Sequence, residues 1–489
     1  MGHQAVIIGG GHNGLVCACY LAKAGLEVTI LERRAIFGGA AVTEEFHPGF
    51  RNSVASYTVS LLHPRIIDDL HLHQHGLEII ERQVSNFLPL RDDNSLVSYP
   101  DSARMQREVA RFSEDDAAHL PDFYNRLDSV VDLIRDLMLE IPPLAHQGGL
   151  ADLWQMFRLS RRFAGMSLED KRLLLTLFSA SAGEMLDDNF SSDPLKALIG
   201  FDAIVGNYAS PYQNGSAYVL LHHVIGEVNG KKGQWGHARG GMGSISNAMA
   251  EEAFSLGVKL ETDTTVERVL VENGIARGVV TSTGEKIAAD LVIANVNPRL
   301  LYLSMLDETD LSTATIQHFQ TYKCQSGSFR MNVALSELPN FTADTPGKVL
   351  TGGIIMAPSL TYMDRAFTDA RQRGFSKEPI VEMMIPSLVD DSLAPEGTHV
   401  ASLFCQQFDP ALGSRWQENK PAAVDTIIET VNQYAPNFRN SIIAQQTFSP
   451  WDLETEFGLL GGDIFHGRLS LEQLFSARPM LGARQYATE

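Results

Sequence analysis

The chain reads as an α/β protein in which a parallel sheet, discontinuous in sequence, is joined to a second domain of mixed sheet and helices. Three observations lead there. An apolar run, Gln4 to Ile8, passes through Gly9-Gly10-Gly11-His12-Asn13-Gly14 straight into a helical pattern. A second strand-like run, Glu27-Val28-Thr29-Ile30-Leu31, ends at the acid Glu32. The same grammar of glycines opening a helix returns far along the chain, at Arg239-Gly240-Gly241-Met242-Gly243.

Gly9, Gly11 and Gly14 carry the G-x-G-x-x-G spacing. Gly9 permits the tight turn, Gly11 lets backbone approach a pyrophosphate, and Gly14 lets the helix lie close on the sheet. Ala18 and Ala22 continue that small-residue stripe at helical spacing. The helix start, with His12 and Asn13, offers free amides and a positive dipole end to phosphate oxygens. Glu32 stands where a carboxylate accepts from a ribose hydroxyl, so the first segment is a Rossmann-type nucleotide site.

The continuation separates flavin from nicotinamide. Arg33 and Arg34 lead to Gly38-Gly39 and Ala40-Ala41-Val42-Thr43, a loop able to return amides to a diphosphate, where a simple NAD domain would enter another helix. The two arginines leave open an NADP 2′-phosphate as the alternative. The whole run, GGGHNG…LERRAIFGGAAVTEEFHPGF, resembles the N-terminal signature of phytoene-desaturase-like FAD-dependent oxidoreductases of the amine-oxidase superfamily. The resemblance implies FAD as cofactor, a glutathione-reductase-like FAD domain, and Gly9, Gly11, His12, Asn13, Gly14, Glu32, Arg33, Gly38, Gly39 and Ala40 as its contacts.

From about residue 100 to 230 the pattern turns helical, as in Val130, Val131, Ile134, Leu137, Met138 and Ile141 before Pro142-Pro143. This layer is either an ordinary core-facing insert or a surface for a membrane or a greasy substrate. Residues 239–298 resume the nucleotide domain with a helix from Ser244 to Leu256. Strands follow from Val258, Val266, Gly278 and Leu291, with Asn273-Gly274 as a hairpin turn. GGMGSISNAMAEEAFSLGVKLETDTTVERVLVENGIARGV resembles the second flavin segment of the same family, which places Val266 near the adenine through its backbone. SLAPEGTH, FGLLGGDIFHGRLSLEQLF and Arg478-Pro479 resemble a narrower branch, that of the pyridine nucleotide-disulphide oxidoreductase domain-containing 2 proteins and the monomeric carotenoid ketolases. Family members continue past that segment into a glycine-rich turn beside the isoalloxazine. Here the chain ends at Ala483 to Glu489, so the reading is of an FAD domain cut short. The expected division is 1–85, 231–304 and 451–489 for the FAD domain, 86–230 for a helical cap, and 305–450 for a mixed substrate sheet.

Composition narrows the partners. A net charge of −20 over 489 residues disfavours nucleic acid, which needs a basic footprint. Cys17, Cys19, Cys324 and Cys405 include no C-x-x-C pair, which disfavours thiol–disulfide chemistry. His71, His73 and His75 lack a cysteine or carboxylate set to complete a metal site, and no metal is expected. His222-His223 reads as packing, and Gly206 to Tyr212 as a turn or a substrate loop. The expectation is an FAD-dependent oxidoreductase removing hydride from an apolar, carotenoid- or polyene-like small molecule. A flavin-linked ketolase or oxygenase, and a non-catalytic derivative, are the alternatives. No leader or spanning helix is read, so the expected location is cytoplasmic or peripheral to a membrane, with mitochondria the alternative in a eukaryote. No motif marks the catalytic side chain, the electron acceptor or the oligomeric state.

Overall fold

The computed structural model describes residues 3–143, 149–343, 348–481 and 483. The glycine turn joins strand β1 (Gln4–Ile8) to helix α1 (His12–Lys23), which leads into strand β2 (Glu27–Leu31). β1 lies parallel to β2, with Ala5 opposite Val28, and on its other side parallel to Leu291–Ala294, with Ala5 opposite Leu291. Lys259–Glu261 pairs parallel with β2 and completes a four-stranded sheet. Both faces are covered, which is why these strands are apolar without alternation. Ala5, Ile7 and Ile30 pack against α1 and helix Gly243–Ser255, through Leu15, Ala18, Ile245 and Met249. Val6, Ile8 and Leu31 pack against Val269 and Val279 of a three-stranded antiparallel sheet. Its hairpin turns at Asn273 and Gly274, both at positive φ (54° and 77°), as a tight two-residue turn requires.

The second domain is built on a seven-stranded sheet. In spatial order its strands are Ile442–Phe448, Ser328–Leu335, His399–Phe408, Phe375–Met384, Gly353–Met356, Asn86–Pro89 and Ser95–Ser98. The last two come from the stretch whose sequence reads as the start of the helical cap. One face, with Phe329, Met331, Leu403, Cys405 and Val381, buries against helix Trp416–Asn432 through Trp416, Ile427 and Val431. Alternation then turns Arg330, Asn332, Ser402, Phe404 and Glu382 to the opposite face, where the site lies.

Helices between Ser102 and Val224 form a third layer around Leu120, Leu127, Val131, Leu177 and Leu220. The long helix Glu114–Leu137 stops short of Pro142-Pro143, leaving Met138, Leu139 and Ile141 exposed. A hairpin, Thr43–His47 with Phe50–Ser53, ties the domains together. Asn52 Nδ2 donates to Asn332 Oδ1 at 3.3 Å, and Asn332 Nδ2 donates to the Ser53 carbonyl at 3.1 Å. Residues 484–489, on which the expectation of a short FAD domain rests, lie outside the described residues.

Candidate cofactor and substrate site

The glycine turn forms a cradle at the carboxyl ends of β1 and β2. Gly9 takes φ +95°, and its amide donates to the Leu31 carbonyl at 2.8 Å. A Cβ on Gly14 would stand 2.4 Å from the Gly9 carbonyl oxygen and 2.7 Å from Asn295 Nδ2, so α1 reaches the turn only because residue 14 has no side chain. Gly11 caps α1 without a side-chain acceptor, which leaves the first-turn amides of His12, Asn13 and Gly14 facing outward. Gly38 and Gly39, at φ +124° and +58°, return the chain beside Gly11 through a bridge between Gly11 and Gly38, and the Gly38 amide donates to the Gly10 carbonyl at 2.8 Å.

Glu32 closes the far side. Its Oε2 accepts from the Gly10 amide at 2.7 Å and its Oε1 from the Arg34 amide at 2.9 Å. Each oxygen keeps a free lone pair for a hydroxyl donor. The Thr264 amide donates to the Glu32 carbonyl at 2.9 Å, which brings Val266, two residues on, to the same end of the sheet. Ala40 packs with Val42 and Phe448, and its carbonyl accepts from Ser56.

Arg33 goes elsewhere. Its Nη2 donates to the Glu456 carbonyl at 2.7 Å, at the carboxyl end of helix Pro450–Phe457. Arg34 lies over the Phe457 ring at 4.7 Å and pairs with Glu44. Neither guanidinium is placed as a 2′-phosphate clamp. Asn295, which belongs to no sequence motif, donates its Nδ2 to the Gly9 carbonyl at 3.0 Å and fixes the turn from the neighbouring strand. His466 and Arg478 also lie close enough to His12 or to each other to act electrostatically. Burial, then His12 and Arg478, push the His466 imidazole down to about 4, and burial lowers His12 as well.

Other candidates have structural partners. His73 Nδ1 meets the Leu77 carbonyl, and His75 meets Glu252 at 2.9 Å. His223 stacks on Trp235, and His222 meets Phe465 edge-on. In the 206–212 turn the Gly206 amide donates to Gln406 Oε1 at 3.0 Å. The four thiols are unpaired, and burial pushes Cys19 up to about 12 and Cys324 up to about 11, so neither is poised as a thiolate.

On the open face of the large sheet, Tyr57 stacks on Phe404 at 5.4 Å and donates its hydroxyl to Glu382, while the Arg330 guanidinium lies 4.5 Å over its ring. A cavity of about 490 Å³ adjoins this group, lined by Tyr57 and Arg82 and by Leu338, Leu350, Met384 and Leu388.

The cradle fits the ADP half of FAD. Gly11 and Gly39 leave backbone open where a Cβ would fill the groove, Glu32 retains acceptor capacity, and α1 points uncapped amides at the same place. Comparison with known proteins agrees. The flavin containing amine oxidoreductase family matches residues 14–328. Pyridine nucleotide-disulfide oxidoreductase domain-containing protein 2 of Mus musculus is 38% identical, over 98% of this chain and 86% of its own. A neurosporene-forming phytoene desaturase of Cereibacter sphaeroides is 24% identical, over 91% of this chain and 82% of its own. Among solved structures, an oxidoreductase of Methanosarcina mazei shares the fold at a TM-score of 0.57 and 17% identity, covering 91% of this chain and 88% of that one. With a family model across most of its length and a near-full-length relative at 38% identity, this chain belongs to the flavin containing amine oxidoreductases and is an FAD-dependent oxidoreductase.

Proposed function

We propose that the protein dehydrogenates an apolar organic substrate of carotenoid or polyene type, with FAD as the resident cofactor. The observation that carries the reading is the cradle of Gly9, Gly11, Gly14 and Gly39 facing Glu32, coupled by the Thr43–Ser53 hairpin to a substrate sheet. In this reading the amides of His12, Asn13 and Gly39 hold the diphosphate, Glu32 holds the ribose, and the backbone at Val266 borders the adenine. Bound FAD supplies a two-electron acceptor for hydride. The chain's residues bind and orient the substrate and keep water from it. The likeness to a phytoene desaturase supports the apolar substrate class. Exposed apolar residues on the cap, among them Leu150, Trp154 and Phe157, support delivery from a membrane surface. Among the described residues no helix is long and apolar enough to cross a membrane.

The test is spectral and chemical. Purified protein reconstituted with FAD should absorb near about 450 nm, and anaerobic addition of a polyene substrate should bleach that band. A product poorer by two hydrogens and no richer in oxygen supports dehydrogenation. Incorporated oxygen would instead make it a ketolase or oxygenase, and a chain that never takes up flavin would be a non-catalytic derivative.

A further inference from the structure

The open face of the large sheet holds more positive charge than it can satisfy. Arg330 is 1% exposed and projects from the centre of the sheet. Its Nη1 donates to the Leu403 carbonyl at 2.8 Å and its Nη2 to Ser402 Oγ at 2.6 Å, which are neutral acceptors. Arg82 enters from the stretch between the two domains and donates to Thr58 Oγ1, again a neutral group. The Nε atoms of both arginines are buried without a partner. Among the described residues neither guanidinium has a carboxylate within ion-pair distance.

Glu382 is the buried carboxylate that acts on both, and it is held by the Tyr57 hydroxyl. Burial pushes its carboxyl up even against the pull of Tyr57, Arg82 and Arg330. Asp202, beyond Glu382, is raised to about 7 by burial and by Glu382. Two guanidinia, one fully and one partly buried, therefore share the single buried carboxylate of Glu382, and the Nε of each lacks an acceptor. An isolated buried cation is costly, and it is tolerated where an anion completes the pair. The adjoining cavity of about 490 Å³ has the size of a small-ligand site. Arg82, Tyr57 and Lys348 lie on its wall with the carboxylate of Glu81, which is drawn off by Lys231, and Leu338, Leu350, Met384, Ile385 and Leu388 supply an apolar stretch.

We propose that this cavity binds an amphipathic substrate by a carboxylate head, which Arg82 receives and Arg330 supports through Tyr57, with the hydrocarbon body lying along Leu338, Leu350 and Leu388. The inference rests on the reading of the protein as an oxidoreductase of polyene-type substrates and narrows that class to those whose chain ends in a carboxylate, setting aside its pure hydrocarbons. A pure hydrocarbon would leave both arginines uncompensated, and an amine would add to the excess. Arg82 is thus a specificity residue, positioned by Thr58 Oγ1, while Arg330 holds the Tyr57 ring beside it on the cavity wall.

The experiment measures equilibrium binding of palmitate, hexadecanol and hexadecylamine to the FAD-reconstituted full chain, by calorimetry below micelle-forming concentrations. Palmitate is expected to bind at least tenfold more tightly than hexadecanol, with hexadecylamine the weakest. Arg82→Gln should bring the palmitate-to-hexadecanol ratio close to one, and Arg82→Lys should keep most of the preference. Equal affinity of the parent protein for palmitate and hexadecanol overturns the proposal whatever the variants do, and so does a preference undiminished in Arg82→Gln. Because binding and not turnover is read, a flavin that no substrate bleaches would refute the redox reading while the head-group preference still stood or fell by itself.

Discussion

Two glycines of one motif do different work, and substitution separates them. A methyl on Gly11 would meet Asn295 Nδ2 at 3.3 Å and Gly39 Cα at 3.9 Å, contacts the fold absorbs with small shifts. A methyl on Gly14 would be driven to 2.4 Å from the Gly9 carbonyl oxygen. Gly11→Ala should therefore fold with a melting temperature near that of the parent apoprotein, yet weaken FAD at least tenfold in a fluorescence titration, because the methyl occupies the pyrophosphate approach. Gly14→Ala should lower apoprotein stability by about 1–3 kcal/mol in urea unfolding, the usual cost of overpacking. If Gly11→Ala bound FAD as tightly as the parent, the cradle would not be where the diphosphate sits. These residues were legible in the sequence because the motif is local: every spacing from Gly9 to Glu32 is set within one strand–turn–helix–strand unit. Asn295 was not legible, since its bond to the Gly9 carbonyl spans the chain and leaves no spacing to recognise. Tyr57, Arg82, Arg330 and Glu382 were hidden for the same reason: they come from separate elements and meet only through sheet register.

At the scale of elements, Arg33 turns from the nucleotide to the carboxyl end of helix Pro450–Phe457, where a cation meets unsatisfied carbonyls and the negative dipole end. Arg33→Ala should cost about 1 kcal/mol of stability in a chemical denaturation series while FAD affinity stays within twofold. A large loss of affinity without destabilisation would return Arg33 to the cofactor. The cap helix Leu150–Gly165 is the opposite case, an element with an unburied apolar side. Leu150 is 86% exposed and Trp154 and Phe157 are each 61% exposed, on a helix that also carries Arg158, Arg161 and Arg162. Arg158 lies over the Trp154 ring, and Arg158 and Arg162 pair with Glu140, so what this helix offers an interface is its apolar side, in a chain of net charge −20. The paired change Trp154→Asp and Phe157→Asp should abolish co-sedimentation with anionic vesicles and leave the melting temperature unchanged. Undiminished sedimentation would place membrane contact on another surface. The sequence read this layer as helical, but periodicity alone could not tell a core-facing stripe from an outward one.

At the scale of the whole molecule, buried ionisable groups set the response to acid. Burial holds His222 near about 3, and His223 and His466 near about 4, each below the usual imidazole value of about 6.5. The unfolded chain protonates these rings as pH falls through about 6.5, and the folded chain does not. Their contribution to stability is therefore complete above about 6.5 and is lost progressively toward about 4. Asp463, raised to about 6, and Asp202, raised to about 7, act in the other sense. Their protonated forms favour the fold at low pH, and that benefit is lost as pH rises from about 3.8 through those values. His222→Phe removes one imidazole whose ring only packs on His223 and Phe465. Its stability should fall less steeply on acidification between about pH 6.5 and 4, by up to about 1.4 kcal/mol per unit, in denaturant midpoints taken across that range. Parallel curves for variant and parent would show that His222 is hydrated in the native state.

The central sheet also fixes an order of events at synthesis. The Gln4 amide bonds to an Asp290 carboxylate 286 residues away, and β1 finds its outer neighbour only when Leu291–Ala294 has been made. At about 5–20 residues per second, a nascent chain holds β1 without that neighbour for roughly 15–60 s. Throughout that interval Ala5 to Ile8, a strand edge with an apolar side on each face, is exposed to any sticky neighbour on the ribosome. Its protection then depends on chaperones and on how quickly translation proceeds, and slow codons ahead of residue 291 should lower the yield of native protein more than slow codons after it.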